Sequence, residues 1–315
     1  MIITANSLPI PLVSVLMPAY NAERFIKQAI ESILKQNFSD FELIVLNDGS
    51  VDRTHEVVMQ FHDPRIRYYK HLTNQGIVAV RNTLVQHARG KYIALLDADD
   101  IALPERLGRQ VQHLESRHAD ICGTDHFTLD EASGRIKKSK QVHSNADIHA
   151  MLCVSSPLCN PSVMAKATIF KAHPFQFGTD IVEDYALWQQ LALKGYRFSN
   201  LKECLIYYRI HPKQSSQSKV DQTSAIFLRQ RECYLHGLGI DLSLTPRPLV
   251  WYDRIRLAPQ FIFTINRKIE GISFRANYQL YARFQFRKNG IWTLLTRPER
   301  LILVAITSLL ARLTF

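Results

Sequence analysis

The chain is short of paired cysteines. It has five, Cys122, Cys153, Cys159, Cys204 and Cys233, an odd number with no Cys-X-X-Cys spacing among them. That excludes a disulfide framework and a cysteine zinc site, and is the usage of a cytosolic protein with buried reduced thiols. Long apolar runs are missing too. The longest uncharged apolar stretch, residues 301–311, has eleven residues, whereas a membrane-crossing helix needs about 20. The first residues lack both a basic start and a seven-residue apolar run, so no signal peptide is expected. There is no internal repeat and no low-complexity tract. With 46 % hydrophobic and 21 % charged residues, the chain is not disordered, collagen-like or a polytopic membrane protein. Its 315 residues can bury a sizeable core and suggest about two domains.

Acidic residues thin out towards one end. Residues 247–315 hold 12 Lys or Arg against 3 Asp or Glu, while the rest of the chain holds 27 against 25. A nearly neutral body therefore carries a strongly basic C-terminal segment, and such segments seek anions.

The first 120 residues alternate between two periodicities. Leu12–Met17 is a short apolar run that predicts a buried strand and Tyr92–Leu96 is a fully apolar one, while Phe41–Leu46 and Ile66–Tyr69 predict two further strands. Helical spacing is seen over Ala22–Leu34, with Asn21 as its expected N-cap, over Arg53–Phe61, over Ile77–Ala88 with Gly90 as its terminator, and from Pro104 to about Arg117. This order predicts an open, mostly parallel sheet. Beyond it, Phe127–Asp130 and Arg135–Gln141 predict a hairpin, with further strands near Ser162–Ala165 and over Leu205–Ile210. Helices are expected from Val182 to Gly195 and over Asp221–Leu235.

Three of the parallel strands run into polar clusters: Pro18-Ala19-Tyr20-Asn21, Asn47-Asp48-Gly49-Ser50 and Asp97-Ala98-Asp99-Asp100. Ligands of open α/β sheets sit at the carboxyl ends of the strands, so all three converge on one rim. Carboxylates directly after a buried strand, together with the phosphates of a nucleotide, suit a hard divalent ion. In extended chain Asp97 and Asp99 share a face that Asp100 does not. An acidic turn capping the next helix is the competing reading. Asp48 either accepts from a nucleobase N–H or is an ordinary turn residue beside Gly49.

Taken together these blocks resemble the family 2 inverting glycosyltransferases, with the GT-A fold. The matching text is Val13–Asn21, Glu42–Asp52, Asn74-Gln75-Gly76, Arg81-Asn82, Leu95–Asp100, Glu183–Trp188 and Tyr208-Arg209-Ile210-His211. It covers about residues 10–215, and the combination is far more specific than any block alone. The resemblance implies a Rossmann-like, mostly parallel sheet with a smaller mixed sheet, and transfer of a sugar from a nucleotide-sugar, UDP-linked by inheritance, with inversion. It implies a donor site of Pro18, Ala19, Tyr20, Asn21, Asp48, Gly76, Arg81, Asp97, Ala98 and His211. Asp97-Ala98-Asp99 would be the Asp-X-Asp motif, with Mn²⁺ or Mg²⁺ on Asp99 and His211 and with Asp97 serving the ribose or the metal. Asp184 would be the general base, with Glu183 and Trp188 on the acceptor side. Asp184 also falls in the first turn of an expected helix, where the dipole favours its ionised form.

Two rivals are weaker. Nucleotidyltransferases of related fold show a Gly-rich loop after the first strand, and residues 18–24 contain no glycine. A non-enzymatic nucleic-acid binder would not line its rim with carboxylates. The expected organisation is a GT-A domain over residues 1–240, its nucleotide half about 10–120 and its acceptor half about 121–240. A helical basic appendage follows over 241–315. That appendage interleaves Arg with Trp251, Tyr252, Phe261, Phe263, Phe274, Tyr278, Tyr281, Phe284, Phe286 and Trp292. A membrane surface, a packed helical cap and single-stranded nucleic acid are its three readings, in that order. The resemblance and the basic segment together lead to the expectation of a cytoplasmic enzyme, peripheral on the inner face of the cell membrane, extending a saccharide or lipid-linked saccharide in lipopolysaccharide, O-antigen or capsule assembly.

Overall fold

A computed structural model of the chain describes residues 9–116, 118–176, 178–179, 182–212, 214, 220–240, 251–284 and 304–305. The chain divides into two compact units. One comprises Met1–Gln141, Leu158–Glu183 and Asn200–Ser218; the other comprises Val142–Pro157, Asp184–Ser199 and Lys219–Phe315. The units therefore do not part at residue 240. The basic segment clusters with two internal stretches of the chain instead of standing apart.

The first unit is built on parallel strands β1 (Val13–Ala19), β2 (Phe41–Asp48), β3 (Ile66–His71) and β4 (Tyr92–Leu95), in the order β3-β2-β1-β4. All of β2 and β4 is buried, as is β1 but for Pro18, which is why these runs are largely apolar and not alternating, with Ser14 and Glu42 among the buried polar exceptions. Helices α1 (Ile26–Leu34), α2 (Thr54–Met59), α3 (Ile77–His87) and α4 (Arg106–Glu115) belong to the same unit, with β5 (Ile101–Ala102) before α4. The core packs Ile26, Ala29, Ile30 and Ile33 of α1 with Val13, Val15, Met17, Leu43, Val45, Leu107 and Val111. Beyond β4 the sheet turns antiparallel, through β8 (Met164–Lys166) to β6 (Ile121–Asp130). β7 (Ile136–Ser139) forms the expected hairpin with β6, and β9 (Phe198–Ile210) pairs with β5. The fold is thus α/β with a mixed extension, as expected.

Several expectations change in detail. Asn21 does not cap α1, which starts at Ile26 behind Phe25 without a side-chain cap. Asn21 has φ of 50°, and its Oδ1 accepts from Val51 N at 3.0 Å. Short Asx side chains tolerate that left-handed backbone, so the residue stitches loops instead of starting a helix. Gly90 does not end α3, which stops at His87. A Cβ on Gly90 would lie 2.6 Å from Ser14 N, so the glycine allows close approach to β1. β9 is longer than Leu205–Ile210, and two helices gave no periodic signal: α5 (Asn145–Leu152) and α6 (Ala167–Ala172).

The second unit is helical: α5, α7 (Glu183–Leu193) from its second residue, α8 (Val220–Gly237), α9 (Trp251–Lys268) and α10 (Phe274–Phe284). Ser144 caps α5 through Asp147 N. Tyr185 stacks on Phe227 at 4.6 Å and donates from its hydroxyl to Leu152 O at 2.6 Å. The basic segment takes part in this packing. Asp147 accepts from Ser273 N at 2.6 Å and from Ser273 Oγ at 2.7 Å. Asn266 and Asn277 exchange amide hydrogen bonds of 2.8 and 3.1 Å. Phe261, Ile262, Ile265, Ile272, Ala276 and Leu280 are buried.

Candidate active site

The rim is assembled by loops that bind one another. Asn21 N donates to Ser50 Oγ at 2.9 Å, Ala22 N to Thr54 Oγ1 at 2.8 Å and Glu23 N to Asp52 Oδ2 at 3.1 Å. These bonds lock the loop after β1 onto the loop after β2. Register completes the alignment, because Ala19 pairs with Asn47 and Asp48 with His71. Gly49 has φ of +68°, and a Cβ there would lie 2.6 Å from Thr73 C, so only glycine fits.

Asp48 is buried and occupied by its own chain. Its oxygens accept from Gln75 N at 2.9 and 3.0 Å, from Gly76 N at 3.0 Å and from His71 Nδ1 at 2.7 Å. A carboxylate has about four acceptor positions, so Asp48 holds the turn before α3 in place. Gly76 sits at the N-cap of α3 with φ of 86°. Arg81 is likewise buried. Its Nη2 donates to Asp97 Oδ1 at 3.3 Å, and its Nε lies 3.1 Å from Glu183 Oε1. Asn160 turns its amide oxygen to Nη1 and Nη2 at 3.0 and 2.8 Å, and Phe175 lies against the guanidinium at 5.6 Å. Arg81 thus holds Asp97 and Glu183 rather than presenting a free guanidinium.

The acidic turn meets the end of β9. His211 Nε2 donates to Asp99 Oδ2 at 3.0 Å, and the His211 ring lies 4.7 Å from that of Phe25. Asp97 and Asp99 are partly exposed, while Ala98 and Asp100 are buried, so the alternation expected of Asp97 and Asp99 holds. Burial pushes Asp97 up to about 6, with Asp99 and Glu183 adding to the shift and Arg81 opposing it. Asp100 is pushed well up by burial and by the Asp99 and Asp97 charges. Its Oδ1 accepts from Arg209 N at 2.8 Å, and its Oδ2 has no partner among the described residues. Beneath them, completely buried Arg106 donates from Nη2 to Leu95 O at 2.7 Å; burial lowers its pKa to about 10.

Of the remaining expected residues, Tyr20 is half-exposed at the rim and Asn21 is exposed. Pro18 is partly buried, and Ala19, like Ala98, points into the core. Asp184 is half-buried, its Oδ1 2.7 Å from Tyr185 N. Two placements on the acceptor side need correction. Trp188 has no exposed surface, so it packs the second unit's core and meets no acceptor. Glu183 is buried against Arg81. Sequence reasoning also gave no role to Arg209, Phe25, Glu131 and Asn160, although Arg209 lies inside the matching text.

A divalent ion suits this donor set. Asp99 and His211 face each other with one hard oxygen and one imidazole nitrogen, and a diphosphate with water would supply the other ligands. Among the described residues there is no group of three metal-capable side chains, so such an ion would need its substrate.

Residues 14–165 match the model for glycosyl transferase family 2. The O-antigen biosynthesis glycosyltransferase WbnJ of Escherichia coli is 30 % identical over 214 residues, covering 66 % of this chain and 83 % of that one. The chain belongs to glycosyl transferase family 2. Solved structures agree in fold. TarS 1–349 of S. aureus, in complex with UDP-GlcNAc, superposes with a TM-score of 0.60 at 17 % identity, over 96 % of this chain and 92 % of that one. The mannosyltransferase PcManGT of Pyrobaculum calidifontis, in complex with GDP-Man and Mn²⁺, gives 0.54 at 17 %, over 95 % and 87 %. Among the described residues, no helix is long and apolar enough to cross a membrane.

Proposed function

We propose that this glycosyltransferase moves a sugar from a nucleotide-sugar, UDP-linked by preference, to a hydroxyl of a saccharide or lipid-linked saccharide. Its setting is cell-surface polysaccharide assembly, and it inverts the anomeric centre. The observation that carries the reading is the convergence of Asp97, Asp99 and His211 at the strand rim, where a diphosphate and its metal belong. The nucleotide-bearing relatives support the donor class, and WbnJ supports the polysaccharide setting.

In this reading Tyr20 and Asn21 border the nucleotide, and Asp48, Gly76 and Arg81 shape its floor. Asp99 and His211 hold Mn²⁺ or Mg²⁺, which when bound neutralises the charge that develops on the departing diphosphate. Asp184 takes the proton from the acceptor hydroxyl. That oxygen attacks the anomeric carbon opposite the diphosphate. The new C–O bond forms as the bond to phosphate breaks, so the configuration inverts. The place of Asp184 in the first turn of α7, where the helix dipole favours its ionised form, supports this role.

The basic segment docks the enzyme on the anionic inner face of the cell membrane. Four of its aromatics are described with their surroundings. Phe261 is buried, Phe263 and Tyr278 are partly buried, and Phe274 is exposed beside Arg275, with Arg267 and Lys268 exposed at the end of α9. The side chains of Trp251, Tyr252, Tyr281 and Phe284, and residues Phe286 and Trp292, lie outside the described residues. Each basic residue at an anionic surface adds about 1 kcal/mol. Replacing Arg267, Lys268 and Arg275 together by Ala should therefore weaken binding to phosphatidylserine vesicles roughly 10²-fold.

The test of the activity is a panel of radiolabelled UDP- and GDP-sugars incubated with the enzyme and lipid extract, with and without chelator. Transfer from one donor to lipid-extractable product, lost in chelator, is expected. Full transfer in excess chelator rejects the metal, and no transfer from any donor rejects the reading.

A further inference from the structure

We infer that Arg209 is a positioning residue that fixes the Asp99–His211 pair and thereby sets the affinity of the site for a divalent cation. The inference rests on the metal reading above and extends it to a residue that touches neither metal nor substrate.

Arg209 is buried at 4 % exposure, and its donors reach three other segments of the first unit. Its backbone N donates to Asp100 Oδ1 at 2.8 Å, and its Nε donates to Asp99 O at 2.8 Å. Nη2 donates to Gln28 Oε1 on α1 at 2.7 Å, and Nη1 donates to Glu131 at the end of β6. The guanidinium lies 4.8 Å from the Phe25 ring, whose ring also meets that of His211. One side chain therefore ties the acidic turn, the end of β9, α1 and the β6–β7 hairpin together. His211 follows two residues later on the same strand end, so the clamp fixes both halves of the pair.

The turn needs such a clamp. Asp97, Asp99 and Asp100 are like charges within four residues, and Asp100 sits buried with one oxygen unpartnered among the described residues. Like charges at close quarters spread a loop unless fixed cations hold it. The guanidinium brings that cation to the turn through the Asp99 backbone carbonyl, while the Arg209 backbone N holds the Asp100 carboxylate, leaving the Asp99 carboxylate itself to His211. Lysine is no substitute: its ammonium is a point charge, whereas the planar fork meets several acceptors in fixed directions. Groups that orient metal ligands from behind typically alter metal affinity by roughly 10–100-fold when removed.

The test measures Mn²⁺ binding to the full chain in the presence of UDP, by electron paramagnetic resonance, alongside the Mn²⁺ dependence of transfer. Arg209→Lys should raise the Mn²⁺ dissociation constant roughly tenfold or more. The Mn²⁺ concentration for half-maximal transfer should rise by the same factor, while kcat at saturating Mn²⁺ recovers to within a few-fold of wild type. A merely structural role would lower the active fraction and leave the Mn²⁺ dependence of the remainder untouched. Gln28→Ala and Glu131→Gln loosen only the outer end of the clamp. Gln28 is exposed and Glu131 partly exposed, so these variants keep the fold and should each raise the constant by about two- to fivefold. Unchanged Mn²⁺ affinity in Arg209→Lys overturns the inference, as does a loss of kcat that saturating Mn²⁺ does not restore. Should Arg209→Lys fail to fold, unchanged affinity in both surface variants overturns it equally. If the wild-type chain binds Mn²⁺ with UDP and the variants match it, only this inference falls. If the wild type binds none, the metal reading falls and takes the inference with it.

Discussion

Glu42 at one end of the parallel sheet and the acidic turn after β4 at the other are treated in opposite ways. At the amino ends of the strands, Glu42 is 3 % exposed and fully engaged. Ser14 Oγ, Arg67 Nη1, Arg89 N and Arg89 Nε donate to it at 2.7, 2.9, 3.0 and 3.0 Å. Burial pushes its pKa up, but these hydrogen bonds outweigh burial and hold it below the usual 4.5. At the carboxyl ends, Asp97 and Asp100 share few donors with several like charges, and both are pushed up. A carboxylate met by donors from its own chain stabilises the fold. In the proposed function, the acidic turn is where a cation arriving with substrate would be held.

The contrast is broken or sharpened by four substitutions, from the largest effect to the smallest. Asp99→Ala should abolish transfer in the donor assay while the thermal midpoint stays equal to or above that of wild type, because it removes a repulsive charge. A fall of the midpoint comparable to that from losing a core contact would mean that the rim, too, is a structural cluster. Asp184→Asn keeps size and hydrogen-bonding shape but removes basicity. Turnover should fall by about 10²–10⁴, with donor affinity by calorimetry changed little. Equal losses in both would make Asp184 a donor ligand.

Glu42→Gln should do the reverse of Asp99→Ala. Losing the charge that four donors address should cost roughly 1–3 kcal/mol in urea denaturation, with unchanged kcat per folded molecule. Its pH dependence follows from the sign of the shift. A carboxylate with a depressed folded pKa adds stability above its unfolded value and loses it as pH falls through the folded one. The wild-type advantage over Glu42→Gln should therefore be full at pH 7 and fade below about 4.5.

Asp97→Asn gives the smallest effect and the opposite slope. With a folded value near 6 against the ordinary 3.8, the folded chain takes up this proton before the unfolded chain does. In chelator the variant should be the more stable at pH 8. Its lead should narrow as pH falls through about 6 and vanish below 3.8. A lead that does not change with pH would mean that Asp97 is not held under-neutralised.

Most of the nucleotide half was legible because it is local. The buried parallel strands are largely apolar runs, and α1 to α4 carry helical spacing, so their existence followed from residues a few positions apart. Where the sequence misled, a distant partner had changed a residue's task. Asn21 reads as an N-cap, yet Val51, thirty residues on, claims its side chain. Gly90 reads as a helix stop, yet it makes room for Ser14. Trp188 reads as an acceptor contact beside Asp184, yet the second unit's core takes it. The aromatics of the basic segment could not be sorted by periodicity alone, because whether Phe261 or Phe274 faces solvent depends on the packing within that unit.

The sequence by itself determined the family, the strand and helix alternation, and which carboxylates end strands, since these need only short-range periodicity and the order of motifs. Tertiary structure alone decided which charges are satisfied. Asp48, Arg81 and Glu183 read as groups facing substrate, and folding engaged all three within the protein. Arg209 read as nothing in particular, and folding made it the clamp of the acidic turn. The physical reason is that a side chain's chemistry depends on how many partners reach it, and those partners lie up to 181 residues away.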